Sequence, residues 1–314
     1  MRREHRSPAE IEAQIQAQIH AARDQIEATR ARVNKRTGRD MAAATGIAIL
    51  LGVVLLASLL WVKTLFMVFA TALVGFALYE LASAMRFGGR DVPRIPLLLL
   101  GSAILPITWF FGAAGMWWST LGAVAAVALV RVLELADRRT RTGARSVMAD
   151  IAGGALCIAY VAVLGGFAVL LTDQEGGEWW TLAMIIMTTV IDTGALGAGV
   201  LLGRHKLAPR ISPGKTWEGL AGGALLATIT GIALSIWMLQ QEWWFGFILA
   251  ALLVVAATVG DLAESIIKRD LGIKDIGSFL PGHGGFLDRL DSILPSAPIA
   301  FAMFLLFSGA PIAG

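Results

Sequence analysis

The chain has 314 residues, of which 56% are hydrophobic and only 16% are charged, and its formal net charge is +3. An ordinary soluble domain is about 25% charged, so this composition excludes a soluble enzyme and a disordered regulator. The single cysteine, Cys157, excludes a disulfide-linked secreted scaffold, and the small net charge gives no reason to expect a nucleic-acid partner.

The first segment, residues 1–40, is polar. Ser7 and Glu10 form a capping box, and apolar residues then recur at alternating spacings of four and three from Ile15 to Val33. We interpret this segment as a cytoplasmic amphipathic helix that lies on the bilayer surface. A coiled coil that would make the protein a homodimer is the alternative.

About nine hydrophobic stretches follow, each close to the roughly 20 residues that a membrane-spanning helix needs. They cover residues 41–62, 65–85, 95–115, 116–135, 151–171, 179–203, 217–238, 243–260 and 293–312. Pro96 and Pro106 weaken the third stretch. The lengths of the stretches therefore also allow eight or ten spans. We predict an all-α polytopic protein with N-terminal transmembrane helices in residues 41–178 and a second transmembrane region in residues 179–314, which contains the two most polar connections between spans.

The basic residues predict the orientation of these spans. If the spans alternate, all 26 lysines and arginines except Lys63 fall on one side, and the positive-inside rule identifies that side as the cytoplasm. We therefore expect a cytoplasmic N-terminus, an outside C-terminus and a multi-pass location in the cell (inner) membrane.

The last predicted cytoplasmic connection, residues 261–292, carries a dense set of polar residues. Two groups of these residues have the spacing of one helical face: Asp261, Glu264, Ser265 and Lys268 form the first, and Asp288, Asp291 and Ser292 form the second. The glycine-rich turn between the two groups contains His283, Gly284 and Gly285. Carboxylates suit Mg²⁺, while basic side chains and glycine backbone N–H groups suit phosphate. A solvated loop would explain the basic residues, but it would not explain acids on one helical face.

The connection before the seventh span contains a second candidate phosphate site. Ser212, Lys215 and Thr216 stand at the start of that span, where the helix dipole favours anions. A simple polar helix cap is the alternative. Four basic residues crowd this connection, which favours phosphate binding.

Two carboxylates fall within predicted spans. Asp192 is the only charge in the sixth span, and a carboxylate at membrane depth usually faces a cavity or a partner. We expect a ligand or proton role for Asp192 in a polar cavity. Glu80, in the second span, is a weaker candidate, since it could simply pair with Arg86.

Residues 265–291 resemble the signature of phosphatidate cytidylyltransferases, also called CDP-diacylglycerol synthases. The matching positions are Ser265, Lys268, Arg269, Lys274, Asp275, Gly277, Pro281, His283, Gly284, Gly285, Asp288, Arg289 and Asp291. Residues 192–195 and 206–219 also resemble this family. The resemblance implies that CTP and phosphatidic acid react in the membrane to give CDP-diacylglycerol and pyrophosphate, with Mg²⁺ as cofactor. The number of carboxylates leaves a second cation beside the first as an open alternative.

The same resemblance implies a role for each group of residues. It makes Asp261 and Asp288 the metal ligands, with Asp291 and Glu264 close by. It makes His283 a hydrogen-bond donor to a substrate phosphate. It assigns substrate binding to Ser265, Gly284, Gly285 and Asp192. Triphosphate and pyrophosphate would be neutralised by Lys268, Arg269, Lys274 and Arg289, and the other phosphate would be held by Ser212, Lys215 and Thr216.

Two other functions remain open at this level. A CTP-dependent lipid kinase acting on a polyprenol would release CDP rather than pyrophosphate. An ion transporter would use intramembrane carboxylates such as Asp192 and Glu80. Transporters commonly contain paired repeats, whereas the polar connections here cluster in the second half of the chain, which argues against transport.

Overall fold

The structure is a computed structural model, and it describes residues 41–136, 144–273, 276–277 and 285–309. The polar segment 1–40, with its predicted surface helix or coiled coil, lies outside these ranges, as do Lys274, His283 and Gly284. The chain divides into two units: Val53–Phe279 with Gly284–Gly314, and Met1–Gly52 with Leu280–His283. In the second unit, only the beginning of the first helix belongs to the described residues.

The described residues are almost entirely helical, as the hydrophobic pattern predicts. The helices are α1 (Met41–Leu60), α2 (Lys63–Phe87), α3 (Arg94–Ala136), α4 (Ala144–Cys157), α5 (Leu164–Asp173), α6 (Gly177–Leu202), α7 (Trp217–Trp237), α8 (Trp243–Asp270), α9 (Leu287–Leu290) and α10 (Ile293–Phe307). A π-helical turn, Ile158–Val163, joins α4 to α5. Within the described ranges, seven helical segments are long and apolar enough to cross a membrane. The chain is therefore a multi-pass membrane protein.

Helix α3 contains the third and fourth predicted spans in one helical run that is broken at Gly112. The φ of Gly112 is 61° and its ψ is −153°, a conformation that only glycine adopts readily. Arg131, near the end of α3, contacts Asp91, which precedes the start of α3: Nη1 and Oδ2 are 3.3 Å apart. The chain must therefore reverse its direction at Gly112. An unbroken helix would carry residue 131 about 1.5 Å further away with each residue.

A two-stranded antiparallel hairpin corrects the prediction that the chain is purely helical. Strands β1 (Lys206–Ala208) and β2 (Ser212–Thr216) lie between α6 and α7 and pair Lys206 with Thr216. Ser212 and Lys215 are therefore on a strand, not in the first turn of a helix. Thr216 alone has the predicted capping position, since its Oγ1 accepts the Gly219 N–H at 3.1 Å.

Two hydrophobic clusters pack the helices of the larger unit. One cluster contains residues of α2, α3, α4, the π-helical turn and α5, together with Leu271, Ile276 and Leu287. The other cluster contains residues of α6, α7, α8 and α10. Helices α6 and α7 approach closely where Gly194 faces Gly223, which agrees with the small residues next to Asp192.

Candidate active site

A cavity of about 430 Å³ lies where α6, the hairpin, α7, α8 and the α9–α10 turn meet. This volume is in the ordinary range of small-molecule sites. Its charged and hydroxyl-bearing lining residues are Asp192, Ser212, Lys215, Thr216, Thr258, Asp261, Asp288, Arg289, Asp291 and Ser292. All of these except Thr258 and Ser292 are residues for which the sequence predicts a role in substrate binding, metal binding or catalysis.

The hairpin and α8 meet through an ion pair in this cavity. Lys215, on β2, forms a salt bridge with the Oδ2 of Asp261, on α8. Both side chains are only partly exposed, so water weakens their attraction less than it would at an open surface. The contact brings a predicted phosphate-binding lysine onto a predicted metal ligand.

A second lysine joins the two helical groups of the 261–292 connection. Lys268 Nζ lies 3.1 Å from Glu264 Oε2 and 3.0 Å from Asp288 Oδ1. Asp288 Oδ2 also accepts the Gly285 N–H at 3.0 Å. Glu264 is only 1% exposed, and its Oε1 has no hydrogen-bond partner. A buried carboxylate oxygen in this state is costly unless a cation or a donor satisfies it.

Asp192 meets the start of the last span at another wall of the cavity. The Ser292 hydroxyl donates to Asp192 Oδ1 at 3.2 Å, and the Ser292 N–H donates to Asp291 Oδ1 at 2.8 Å. Ser292 therefore links two predicted site residues that lie about a hundred positions apart. The sequence assigned Ser292 no role of its own beyond sharing a helical spacing with Asp288.

The hairpin is held in place by contacts to its own flanks and to α8. Glu218 accepts the backbone N–H groups of Arg204 and His205, and the ring of His205 lies 2.6 Å from its Oε1. Arg269 Nε donates to the backbone oxygen of Ile211 at 3.3 Å. These bonds set the position of β2 above the cavity.

Several predicted site residues do not line the cavity. Lys268, Arg269, Glu264 and Gly285 have the partners named above, and Ser265 is half-buried on α8. Lys274, His283 and Gly284 lie outside the described residues. The metal prediction remains open: within the described ranges, no three His, Cys, Asp or Glu side chains are already grouped to hold an ion.

Two residues beyond the main predicted set also contact this region. Glu80 does not pair with Arg86, since Arg86 pairs with Asp91 at 3.2 Å; instead Glu80 accepts the Leu287 N–H at 3.1 Å. Tyr160 donates to the Gly260 carbonyl at 3.1 Å, next to Asp261. The available signal for Tyr160 was a polar hydroxyl within an apolar span of a chain that has only two tyrosines.

Acidic and basic side chains line the cavity together. The acids are Asp192, Asp261, Asp288 and Asp291, and the bases are Lys215 and Arg289. Anionic phosphates are repelled by such an excess of carboxylates unless a further cation is present. The arrangement therefore suits a reaction in which phosphates and cations bind together.

Relatives of the chain agree with this chemistry. The profile of the cytidylyltransferase family matches residues 42–307. A Mycobacterium bovis protein named phosphatidate cytidylyltransferase is 36% identical over 277 residues, which are 86% of this chain and 90% of that protein. Proteins of the same name from Mycobacterium leprae (35% over 280 residues; 86% and 89%) and Staphylococcus saprophyticus (33% over 260 residues; 82% and 97%) are also similar. The chain belongs to the cytidylyltransferase family.

Proposed function

We propose that the chain transfers a cytidylyl group from CTP to phosphatidic acid, which yields CDP-diacylglycerol and pyrophosphate. The observation that carries this proposal is that Asp261, Asp288 and Asp291 line the same cavity as Lys215 and Arg289. The volume and mixed charge of the cavity suit a nucleoside triphosphate beside a lipid phosphate. The relatives carry the name of this activity.

In this reaction, an oxygen of the lipid phosphate attacks the α-phosphorus of CTP. The bond between that phosphorus and the oxygen bridging to the β-phosphate breaks, and the electron pair leaves with pyrophosphate. The lipid phosphate is already ionised at neutral pH, so the protein needs to position two anions and offset their charge. We assign Lys215, Ser212 and Thr216 to one phosphate, and Arg289 to the triphosphate and its product. Lys268 and Arg269 do not line the cavity, but they contact Asp288 and the hairpin at its border, and we assign their charge to the same triphosphate.

We also propose that Asp261, Asp288 and Asp291 hold Mg²⁺, with Glu264 nearby. Their oxygens are the donors that Mg²⁺ prefers, and the unpartnered Glu264 Oε1 is a buried acceptor beside this group. When bound, Mg²⁺ would offset phosphate charge. If Asp261 and Asp288 held this ion, Lys215 would lose its present partner and Lys268 would keep only Glu264, so both ammonium groups would have donors for substrate phosphates.

We propose that the chain crosses a bacterial-type inner membrane nine times. The N-terminus would lie on the cytoplasmic side, and the cavity would face that side. Helix α1 is the first crossing, and the two parts of α3 on either side of Gly112 are the third and fourth. Ion pairs support the alternation, because Lys63 pairs with Glu178, and Arg131 with Asp150. The alternation assigns both residues of each pair to the same side of the membrane, as their contact requires.

The test is an assay of the purified full-length chain in detergent with CTP labelled on the α-phosphate and phosphatidic acid. We expect labelled CDP-diacylglycerol and one pyrophosphate for each lipid formed, in the presence of Mg²⁺. Removal of divalent ions with EDTA should stop the reaction, and added Mg²⁺ should restore it. Release of CDP from CTP, with no label in the lipid, would contradict the proposal and would indicate a lipid kinase.

A further inference from the structure

The N-terminal half of the chain contacts the segment that carries Asp288. Leu271, Ile276 and Leu287 are buried in the same hydrophobic cluster as residues of α2. The rings of Phe76, on α2, and Phe286 stack with their centroids 4.8 Å apart. Leu271, Ile276, Phe286 and Leu287, on either side of the glycine-rich turn, therefore pack with helix α2.

Glu80 is the polar contact in this packing. It is 5% exposed, and its Oε2 accepts the Leu287 N–H at 3.1 Å. The first backbone N–H groups of a helix have no partner within that helix, so the carboxylate supplies an acceptor from another part of the fold. Leu287 directly precedes Asp288, which lines the cavity and holds Lys268.

The backbone around Glu80 leaves no room for additional atoms. A Cβ placed on Gly277 would overlap the Glu80 carboxyl group. A Cβ placed on Gly285 would approach Glu80 Oε2, the Gly277 nitrogen and Asp288 Oδ2 together. Glu80, the two glycines and Asp288 thus meet at one point, and the small residue at position 277 has a steric reason.

We propose that Glu80 is a positioning residue, which fixes the backbone at residues 285–288 so that Asp288 is directed into the cavity. This inference rests on the proposed function only for its kinetic consequence. Glu80 does not line the cavity, and it acts through the Leu287 N–H and through the space beside Gly277. The proposal gives the N-terminal helices a part in the active site, although the signature residues 265–291 all lie in the second half of the chain.

The first test compares Glu80→Met, which removes both oxygens at similar length, with Glu80→Gln, which keeps one acceptor for Leu287. We expect Glu80→Met to lower kcat by about tenfold to a hundredfold, the scale of a small misplacement of a catalytic group, with a smaller change in the KM for CTP. Glu80→Gln should recover most of that loss. Ser83→Ala, which removes a buried unpartnered hydroxyl on the same helix, should leave kcat unchanged.

A second test uses steric coupling. Gly277→Ala alone should lower kcat, because its methyl group overlaps the Glu80 carboxyl group. The double variant with Glu80→Ala should be no slower than Glu80→Ala alone, because truncation of Glu80 makes room for the methyl group. Losses that multiply in the double variant would overturn the proposal, as would wild-type kcat in Glu80→Met or a Gln variant as slow as the Met variant.

A readout without turnover separates this proposal from the proposed function. In hydrogen–deuterium exchange of the full chain, the peptide that contains Leu287 should lose protection in Glu80→Met and keep it in Glu80→Gln and Ser83→Ala. Unchanged protection in Glu80→Met would overturn the positioning role. If the variants show this protection pattern but the wild-type chain makes no CDP-diacylglycerol, the proposed function is overturned and the positioning role stands.

Discussion

The ammonium group of Lys268 lies 3.0 Å from Oδ1 of Asp288, and these two residues join the end of α8 to α9. The same ammonium group is 3.1 Å from Glu264 Oε2. One lysine therefore holds two carboxylates that would otherwise repel each other at the edge of the cavity. Loss of Lys268 would leave both carboxylates without the cation that they share.

Asp288→Ala should abolish most turnover while the protein still inserts into the membrane. The variant removes a cavity carboxylate and the acceptor of the Gly285 N–H, and we expect kcat to fall by about 10²- to 10³-fold, as for loss of one electrostatic group at a reacting centre. The assay with labelled CTP measures this change. Glu175→Ala, at an exposed turn between α5 and α6, is the control, and full activity of Asp288→Ala would refute a metal or charge role.

Lys215→Ala should weaken the use of anionic substrate. The variant removes the partner of Asp261 from the cavity, and we expect kcat/KM to fall by about tenfold to a hundredfold, the usual scale of a hydrogen bond to a charged group. Lys206→Ala removes the same charge from an exposed position on β1 of the same hairpin and should have little effect. If the two variants lost activity equally, the general positive charge of the hairpin, not the cavity contact, would be responsible.

Gly112→Ala should destabilise the reversal of α3. A side chain at φ 61°, ψ −153° is strained, and we expect a loss of about 1–3 kcal/mol, visible as a lower midpoint of thermal unfolding in detergent. Gly122→Ala is the matched control, because a Cβ there meets nothing within 4 Å and alanine favours a helix. A Gly112 variant as stable as the Gly122 variant would contradict the reversal at this position.

Arg131→Met should destabilise the protein more than loss of a half-exposed ion pair does. Arg131 is fully buried and contacts Asp150 at 2.8 Å, Glu134 at 3.0 Å and Asp91 at 3.3 Å. Removal of one partner of a buried pair costs about 3–5 kcal/mol. Arg86→Ala breaks a half-exposed pair with Asp91 and should cost no more than about 1 kcal/mol. Thermal unfolding of the two variants in detergent compares them, and equal midpoints would contradict a stabilising role of the buried cluster.

The amino-acid sequence alone predicted a helical, multi-pass chain and its relation to the cytidylyltransferases. Those properties are local, because the length of an apolar stretch predicts a span and a motif of fixed spacing predicts residues on one helical face. Asp261, Glu264 and Lys268 lie on the continuous helix α8, as their spacing predicts. The sequence also indicated both polar connections that border the cavity.

The contacts between distant residues follow from the packing of the helices and could not be predicted from the sequence. Asp192 contacts Ser292, Lys215 contacts Asp261, and the carboxyl group of Glu80 reaches the Leu287 backbone. No periodic pattern encodes such contacts, because they depend on which helices pack together and at what height. The same limit explains why Glu80 does not pair with Arg86 on the same helix: packing of α2 against Phe286 and Leu287 gives the carboxyl group a backbone partner on another element.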